Sequence, residues 1–298
     1  MRLLESRALP EGGFPARCGE PFRSDATAWA ILALNRHAPG HSLLGPARHR
    51  LTAAQDSDGR VSMSREHEEA FWPTALSILA WHGSEAHESH CSRGVQFLLN
   101  TRGHHWRKAP DEPMGHDPSV QGWPWIDDTH SWIEPTALSV LALRVAGHGQ
   151  HDRIREGILM MLDRQLPHGG WNYGNTTVYG RELHPMPEST GAALSGLAGQ
   201  TEQRTVARSL DYLQGEVDRS RTPISLGWGL LGLAAWNLWP SNGAALVERC
   251  LANQARYGEY DTSAIGLLLL AGLGGELGGK NTLFPCVIHE CSSAVRPH

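Results

Sequence analysis

The hydrophobic pattern of the chain is dominated by short segments that are apolar on nearly every side. The clearest of them, residues 137–143, reads ALSVLAL and is interrupted only by Ser139. A helix with apolar residues all round is covered by neighbours all round. Pro135 suits the first turn of such a helix, because its fixed φ is helical and its missing N–H has no intrahelical partner there. The pattern predicts a buried inner helix that begins at Glu134 or Pro135.

The same pattern occurs six times along the chain. Each copy opens with three residues, which we call the start triplet, and continues with an apolar run. The triplets are DAT (25–27), WPT (72–74), EPT (134–136), EST (188–190), ISL (224–226) and DTS (261–263). Successive copies are 47, 62, 54, 36 and 37 residues apart. Periods of this size indicate one helix pair per repeat.

Amphipathic segments between the inner helices are predicted to form outer helices, each with one apolar face toward the ring. Six inner and at least five outer helices predict an all-α protein, an (α/α)6 toroid of helix-hairpin repeats. We expect residues 1–298 to form a single domain, with the segment after Gly274 closing the ring. The predicted outer helices cover residues 46–55, 92–101, 151–165, 205–217 and 243–256.

Composition and charge narrow the range of functions. The net charge of −5 and the lack of a basic stripe argue against a nucleic-acid partner. No segment has the character of a signal peptide or a transmembrane helix, so we expect a soluble, cytoplasmic protein. The five cysteines have no framework spacing, which is typical of reduced thiols. Eleven tryptophans indicate either interlocking repeats or an aromatic-lined cavity.

The longest interval between repeats holds an insertion rich in proline, histidine and aspartate, residues 104–130. Loops of this length in a compact domain are usually functional or mobile. Within it, Asp127, Asp128 and His130 are weak candidates for binding a metal or a substrate. Otherwise we expect no cofactor, although the sequence leaves a divalent metal open.

One segment connects the repeats with a known family. Residues 165–171, QLPHGGW, resemble the QW repeat of squalene–hopene and oxidosqualene cyclases, in which Gln, a short spacer, Gly and Trp follow one another. The inner helices look like those of the wider superfamily of terpene cyclases and protein prenyltransferase β-subunits. The resemblance covers nearly the whole chain as a repeat pattern. It implies an α/α toroid that binds an apolar, isoprenoid-like small molecule; triterpene cyclases have two such domains, and this chain has room for one.

The resemblance also implies the position of an acid. In squalene–hopene cyclase-like enzymes the catalytic acid is the middle Asp of a DxDDTA motif at the start of an inner helix. Aligned on Thr136, that Asp corresponds to Glu134, whereas Trp132 and Pro135 replace the two flanking carboxylates. The first residue of the start triplet is also acidic in three other repeats, at Asp25, Glu188 and Asp261.

Four carboxylates at one end of a ring allow two interpretations. Their mutual repulsion can raise one pKa, as protonation of an alkene requires, or they can hold a cation. Alternatively, each one caps its own helix or interacts with the helix dipole. We expect Glu134 to be the catalytic acid, with Glu188 or Asp25 next and Asp261 as the remaining candidate.

Aromatic residues near the inner-helix starts are the candidates for substrate binding. In a cyclase, their π faces would line an apolar cavity and stabilise carbocations. Alternatively, they pack between repeats. The candidates are Trp72, Trp132, Trp171, Tyr173, Tyr179, Trp228 and Tyr260.

The zinc site of protein prenyltransferase β-subunits has no counterpart in this sequence. Those proteins hold zinc with an Asp, a Cys two residues later and a His in a Tyr-His-Thr context. Here Asp261 replaces that His, and no Asp-x-Cys occurs. The close Cys/His cluster of the chain, Cys286, His289 and Cys291, matches no familiar zinc spacing.

The leading hypothesis from the sequence is a terpene cyclase-like enzyme that protonates an apolar substrate in the central cavity, leading to cyclisation or isomerisation. Two alternatives stay open. A carbohydrate-active (α/α)6 enzyme would also use paired carboxylates and a Trp-rich cleft. A non-catalytic toroid would bind a lipid, a peptide or a partner subunit. A homodimer and peripheral association with a membrane are compatible with each hypothesis.

Overall fold

The computed structural model describes residues 1–109 and 111–274. Most of the regular structure in these residues is helical, and β1 (Thr177–Val178) and β2 (Arg181–Glu182) form a short antiparallel hairpin. Two 3₁₀ turns, Glu85–His87 and Gln203–Val206, precede α5 and α9. In chain order the helices are α1 (Arg2–Glu5), α2 (Ser24–His37), α3 (Leu44–Thr52), α4 (Pro73–Trp81), α5 (Glu88–Asn100), α6 (Ile133–Val145), α7 (Asp152–Asp163), α8 (Pro187–Leu197), α9 (Ala207–Val217), α10 (Pro223–Ala235), α11 (Gly243–Ala252), α12 (Gln254–Tyr257) and α13 (Thr262–Gly272).

The helices that follow the six start triplets form an inner ring. Contacts run from α2 through α4, α6, α8 and α10 to α13, and α13 packs back against α2. The helices α3, α5, α7, α9 and α11 pack against the inner ones. Among the described residues, the predicted toroid of six inner and five outer helices is confirmed.

The predicted helix limits agree with the structure to within a few residues, with two differences. The segment 243–256 is divided into α11 and the short α12. The short helix α1 was not predicted, because one turn is too short to give a hydrophobic period.

The hydroxyl group of the threonine in the start triplet anchors several inner helices to the preceding turn. The hydroxyl of Thr136 accepts a hydrogen bond from the N–H of Trp123 at 2.9 Å, and both groups are buried. Three other repeats contain the same contact. The pairs are Thr27 with Phe14 (2.8 Å), Thr74 with Val61 (2.9 Å) and Thr190 with Trp171 (3.0 Å).

The interior of the ring is filled with side chains. Between the first and last turns of the inner helices, every residue is buried except Leu269, which is partly exposed. An open channel at this depth would leave the residues around it accessible to water. Within the described part of the chain, the ring therefore has no open cavity along its axis below the first helical turn.

Two long loops lie together beside the starts of α6 and α8. The N–H of Gly115 donates to the carbonyl of Thr177 at 2.9 Å, which joins the insertion to the β1–β2 hairpin. The buried Arg164 donates to the carbonyls of Gly174 at 2.5 Å and Asp117 at 3.2 Å, which ties both loops to the end of α7. These contacts fix the loops at the end of the ring where the inner helices begin, which we call the mouth.

Two further expectations concern membranes and the end of the chain. No helix among the described residues has both the length and the apolar character needed to cross a bilayer. The segment expected to close the ring after Gly274, with Cys286, His289 and Cys291, lies outside the described residues.

Candidate functional site

Glu134 is the second residue of α6, and two loops fix the start of that helix. The N–H of Ile133 donates to the carbonyl of Tyr173 at 2.9 Å, and Trp132 pairs with Trp123 in a β-bridge. Glu134 lies deep among protein atoms, yet part of it stays accessible to solvent. Its position in the first turn of α6 places it at the mouth of the ring.

The carboxyl group of Glu134 interacts with groups from two other inner helices. Trp228 of α10 donates its indole N–H to Oε1 of Glu134 at 3.3 Å. The charge of Glu188, in the first turn of α8, acts on the same carboxyl group. The mouth therefore brings together the first turns of α6 and α8 and a side chain from α10.

The pKa of Glu134 is raised to about 7, mainly by burial; the hydrogen bond from Trp228 lowers the pKa, and the charge of Glu188 raises it. An unperturbed glutamate titrates at about 4.3. A helix N-terminus favours the charged carboxylate as well, so burial outweighs both opposing effects. A carboxyl group with this pKa is largely protonated just below neutral pH and is suited to act as a general acid.

Glu188 is held by two hydroxyl groups. Tyr173 donates to its Oε1 at 3.1 Å, and Ser225 of α10 donates to its Oε2 at 2.7 Å. Thr222 donates in turn to Ser225 at 2.8 Å. Burial and the charges of Glu188 and Glu134 raise the pKa of Tyr173, which keeps its hydroxyl protonated as a donor. The site thus combines a protonatable Glu134 with a Glu188 whose two oxygens act as acceptors.

The other two acidic candidates have partners of their own. Asp25 is buried and forms a bidentate ion pair with Arg23, at 2.9 and 3.0 Å, and it also accepts from Ser263 at 3.2 Å. Asp261 accepts a hydrogen bond from the N–H of Ala264 at 2.7 Å and caps α13. Asp25 therefore lies at the mouth with its charge compensated, whereas Asp261 has the geometry of a helix cap.

Four of the aromatic candidates lie at or next to the mouth. Trp228 contacts Glu134 and Tyr173 contacts Glu188. Trp72 is half-buried and meets Trp125 edge-to-face, with ring centroids 5.2 Å apart. The half-buried Trp132 lies against His130, with ring centroids 4.3 Å apart.

The other three aromatic candidates make no described hydrogen bond to Glu134 or Glu188. Trp171 is fully buried, and its indole N–H donates to the carbonyl of Met161 on α7 at 2.6 Å. Tyr260 donates to the carbonyl of Cys250 at 3.0 Å and links α11 to the start of α13. Tyr179 is 82% exposed in the turn of the β-hairpin. Trp171 therefore packs between repeats, which is the alternative that the sequence left open.

The weak metal candidates of the insertion do not form a cluster. Asp127 pairs with Arg60 at 3.2 Å, whereas His130 lies against Trp132. Within residues 1–109 and 111–274, no group of three or more His, Cys, Asp or Glu side chains is arranged to hold a metal ion.

Two surface cavities lie away from the acid. One, of about 620 Å³, lies beside the start of α2 and is lined by Arg23 and Arg50 among others. The other, of about 580 Å³, lies at the opposite end of the ring and is lined by residues that include His82 and Cys91. Neither cavity is lined by Glu134. The size of a cavity therefore does not identify Glu134, the residue whose pKa is raised.

Several residues of the site were not predicted as site residues. Ser225 holds Glu188, and Arg23 and Ser263 hold Asp25. Trp29 packs edge-to-face against Trp228, with ring centroids 5.7 Å apart. The sequence contained one signal for the Trp29–Trp228 contact. Each of these residues follows the last residue of its start triplet by two positions.

The fold has counterparts among solved structures. The chain folds as an α/α toroid, as its repeats predicted. Among solved structures it is similar to a protein from Actinoplanes, with a TM-score of 0.54 and 15% identity over 93% of this chain and 96% of that one. It is also similar to a variant of the type II terpene cyclase MstE from Scytonema in complex with its substrate, geranylgeranyl dihydroxybenzoate. Here the TM-score is 0.53, with 15% identity over 94% of this chain and 80% of that one.

These similarities concern the fold. No protein-family model matches the sequence, and no curated protein matches it significantly. At 15% identity, the two structures confirm the predicted architecture but not a shared activity. The function of the protein therefore depends on the groups at the mouth of the ring.

Proposed function

We propose that this protein is a terpene cyclase-like enzyme that protonates an apolar, isoprenoid-like small molecule with the carboxylic acid of Glu134. The observation that carries the proposal is the pKa of about 7 of a carboxyl group placed at the mouth of an α/α toroid. An ordinary glutamate is almost fully ionised at neutral pH. The perturbed group is therefore suited to donate a proton where an ordinary one is not.

The surroundings of Glu134 suit proton donation to an alkene. The carboxyl group accepts one hydrogen bond, from Trp228. When the proton leaves, that indole N–H stabilises the carboxylate that forms. Trp228 therefore stabilises the negative charge that a protonation step creates.

The proposed step balances as an isomerisation. The proton of Glu134 forms a C–H bond with one alkene carbon, using the π electrons of the double bond, and the other carbon becomes a cation. A second double bond of the same molecule can attack the cation and form a ring bond. A neighbouring carbon then loses a proton to water, which restores an alkene, and Glu134 takes up a proton from water, so that the product has the composition of the substrate.

The substrate class is inferred from the site and from one similar structure. The mouth of the ring combines the carboxyl group of Glu134 with the indole of Trp228, and no cationic side chain contacts Glu134 among its described hydrogen bonds and ion pairs. The type II terpene cyclase MstE, which shares the fold, was solved with geranylgeranyl dihydroxybenzoate as its substrate. We therefore infer a substrate that presents a prenyl alkene to the acid.

Turnover in D₂O tests this function. The purified protein is incubated with farnesol, geranylgeraniol and a geranylgeranylated phenol in D₂O, and the products are analysed by mass spectrometry. Because the transferred proton comes from a carboxyl group that exchanges with solvent, we expect an isomeric product that carries deuterium on carbon. Glu248→Gln, an exposed position on α11, is the matched control and should behave like the wild type.

Binding without turnover would have a different meaning. Stoichiometric binding of these compounds without deuterium incorporation into any of them would contradict catalysis. That result would favour the non-catalytic toroid, in which the mouth of the ring only binds a prenyl group.

A further inference from the structure

The cavity of about 620 Å³ beside the start of α2, which we call the α2 cavity, is lined by residues from three segments of the chain, 20–24, 50–56 and 62–68. Its volume lies within the range of small-molecule sites, roughly 300 to 1,000 Å³. The less exposed part of its lining includes Ser24, Arg23 and Arg50, whereas its acidic residues are all exposed. Those acidic residues are Glu20, Asp56, Glu66 and Glu68. Water and salt screen exposed charges more than buried ones, so the inner part of the cavity favours an anion.

Two buried polar atoms of residues that line the α2 cavity have no hydrogen-bond partner among the described residues. They are Oγ of Ser24, a residue that is 1% exposed, and Nε of Arg50. Buried polar groups in proteins are nearly always hydrogen-bonded. The N–H group at Nε of an arginine can only donate, so a group that satisfies both residues must be an acceptor.

The guanidinium group of Arg50 is oriented without a counter-ion. Its Cζ lies 5.0 Å from the centroid of the Phe22 ring, and Phe22 also lines the cavity. Among the described residues, the Arg50 side chain forms no hydrogen bond and no ion pair. Arg23 differs, because Asp25 neutralises it through two hydrogen bonds at 2.9 and 3.0 Å. A guanidinium group presents a planar set of N–H donors that matches carboxylate and phosphate oxygens, so Arg50 is suited to bind an oxyanion.

The start of α2 adds to the positive potential of the cavity. This helix of 14 residues begins at Ser24, and no side chain caps it. The N-terminus of a helix carries a partial positive charge and attracts anions. The N–H of Ser24 donates to the carbonyl of Met63 at 3.3 Å, which fixes the segment 62–68 beside the helix start. The helix start, the hydroxyl of Ser24 and the guanidinium of Arg50 therefore meet at one cavity.

We propose that the α2 cavity binds a small molecule through an oxyanion group, a phosphate or a carboxylate. Oxygen atoms of this group accept hydrogen bonds from the guanidinium of Arg50 and the hydroxyl of Ser24, and the N-terminus of α2 stabilises their charge. The site is additional to the proposed acid, since neither Glu134 nor Glu188 lines this cavity. Anion binding at the α2 cavity therefore does not depend on the proposed function.

Isothermal titration calorimetry with sodium phosphate and sodium acetate tests the site, with sodium chloride holding the ionic strength constant. We expect saturable binding of at least one of the two anions. Arg50→Ala removes the charge-assisted hydrogen bonds and should weaken binding at least about tenfold. Ser24→Ala removes a hydroxyl group that has no partner in the described part of the chain. It should therefore weaken binding about two- to tenfold without lowering the melting temperature.

Arg256→Ala is the matched control, because this arginine also lies over an aromatic ring, that of Tyr257 at 5.2 Å, but does not line the cavity. It should bind both anions like the wild type. Tighter binding of phosphate than of acetate would support a phosphorylated ligand, and the reverse order would support a carboxylated one. Ser24→Ala carries the test if Arg50→Ala does not fold.

Three results would overturn the proposal. They are no saturable binding of either anion to the wild type, wild-type affinity in both Arg50→Ala and Ser24→Ala, and a loss of affinity in Arg256→Ala equal to that in Arg50→Ala.

Discussion

Replacing Glu134 by glutamine should abolish proton-transfer chemistry and leave the ring folded. Glutamine has nearly the same shape, and its carbonyl oxygen can still accept the hydrogen bond from Trp228. It cannot donate a proton to carbon. General acid catalysis contributes roughly 10²- to 10⁴-fold in rate, so deuterium incorporation should fall by at least that factor. Glu248→Gln should retain the wild-type rate.

The pH dependence of turnover and of stability distinguishes a variant that lacks the acid from a variant that is unfolded. The acid must be protonated, so wild-type turnover should be constant well below pH 7 and fall to half at the pKa of about 7. Because the folded-state pKa is raised, the unfolded chain loses this proton at a lower pH than the folded chain, so the stability of the wild type falls as pH rises from about 4.3 to about 7. Glu134→Gln lacks that loss and should melt at the same temperature as the wild type or higher at pH 8. Turnover by this variant at the wild-type rate would rule out Glu134 as the acid.

Replacing Gly191 by alanine should destabilise the protein strongly. Gly191 of α8 lies directly against the backbone of α10, where an added Cβ would overlap the main-chain carbonyl of Trp228. The backbone of Gly232 approaches from the same helix, and a Cβ there would lie 2.7 Å from the Cα of Gly191. Because backbone atoms cannot rotate away, α8 and α10 must separate. Overpacking of this kind costs about 3 kcal/mol or more.

Gly215→Ala is the matched control, since Gly215 also lies in a helix, α9, but faces solvent with no atom within 4 Å of an added Cβ. Alanine is favoured over glycine inside a helix by up to about 1 kcal/mol, so this variant should be as stable as the wild type or slightly more stable. Urea unfolding followed by tryptophan fluorescence measures both variants. Equal unfolding free energies for Gly191→Ala and the wild type would contradict the close approach of α8 and α10.

The ring could be predicted from the sequence because its determinants are local and repeated. An apolar run such as residues 137–143 has no polar face, so it must be covered on all sides. Six such runs behind similar start triplets leave few architectures other than a ring of helix hairpins. Glu134 could be singled out for the same reason, because its position in the triplet is fixed by the alignment on Thr136.

The partners of Glu134 could not be predicted in the same way. A helix that is apolar all round does not indicate which residues face the axis of the ring. The contacts of Trp228 with α6 and α2 depend on the diameter of the ring and on the direction of one side chain. Ser225 was visible in its triplet, but nothing in the sequence indicated that it faces Glu188.

Residues with similar positions in the repeat have different surroundings in the structure. Asp261 and Glu134 both begin a start triplet, yet Asp261 turns to the N–H of Ala264, whereas Glu134 faces the indole of Trp228. Their positions differ, because Asp261 is the N-cap residue of α13, whereas Glu134 lies inside the first turn of α6. The tryptophan of the QW-like segment, Trp171, is likewise buried by packing against α7.

The measurement that tests the account most directly is a carbon-13 NMR titration of the side-chain carboxyl of Glu134, assigned by its loss in Glu134→Gln. We predict a pKa of about 7 in the wild type. Glu188→Gln should lower this pKa, since it removes a like charge, and Trp228→Phe should raise it, since it removes a hydrogen bond to the carboxylate. A wild-type pKa near the ordinary glutamate value of about 4.3, unchanged in both variants, would contradict the proposal that the mouth of the ring holds an acid.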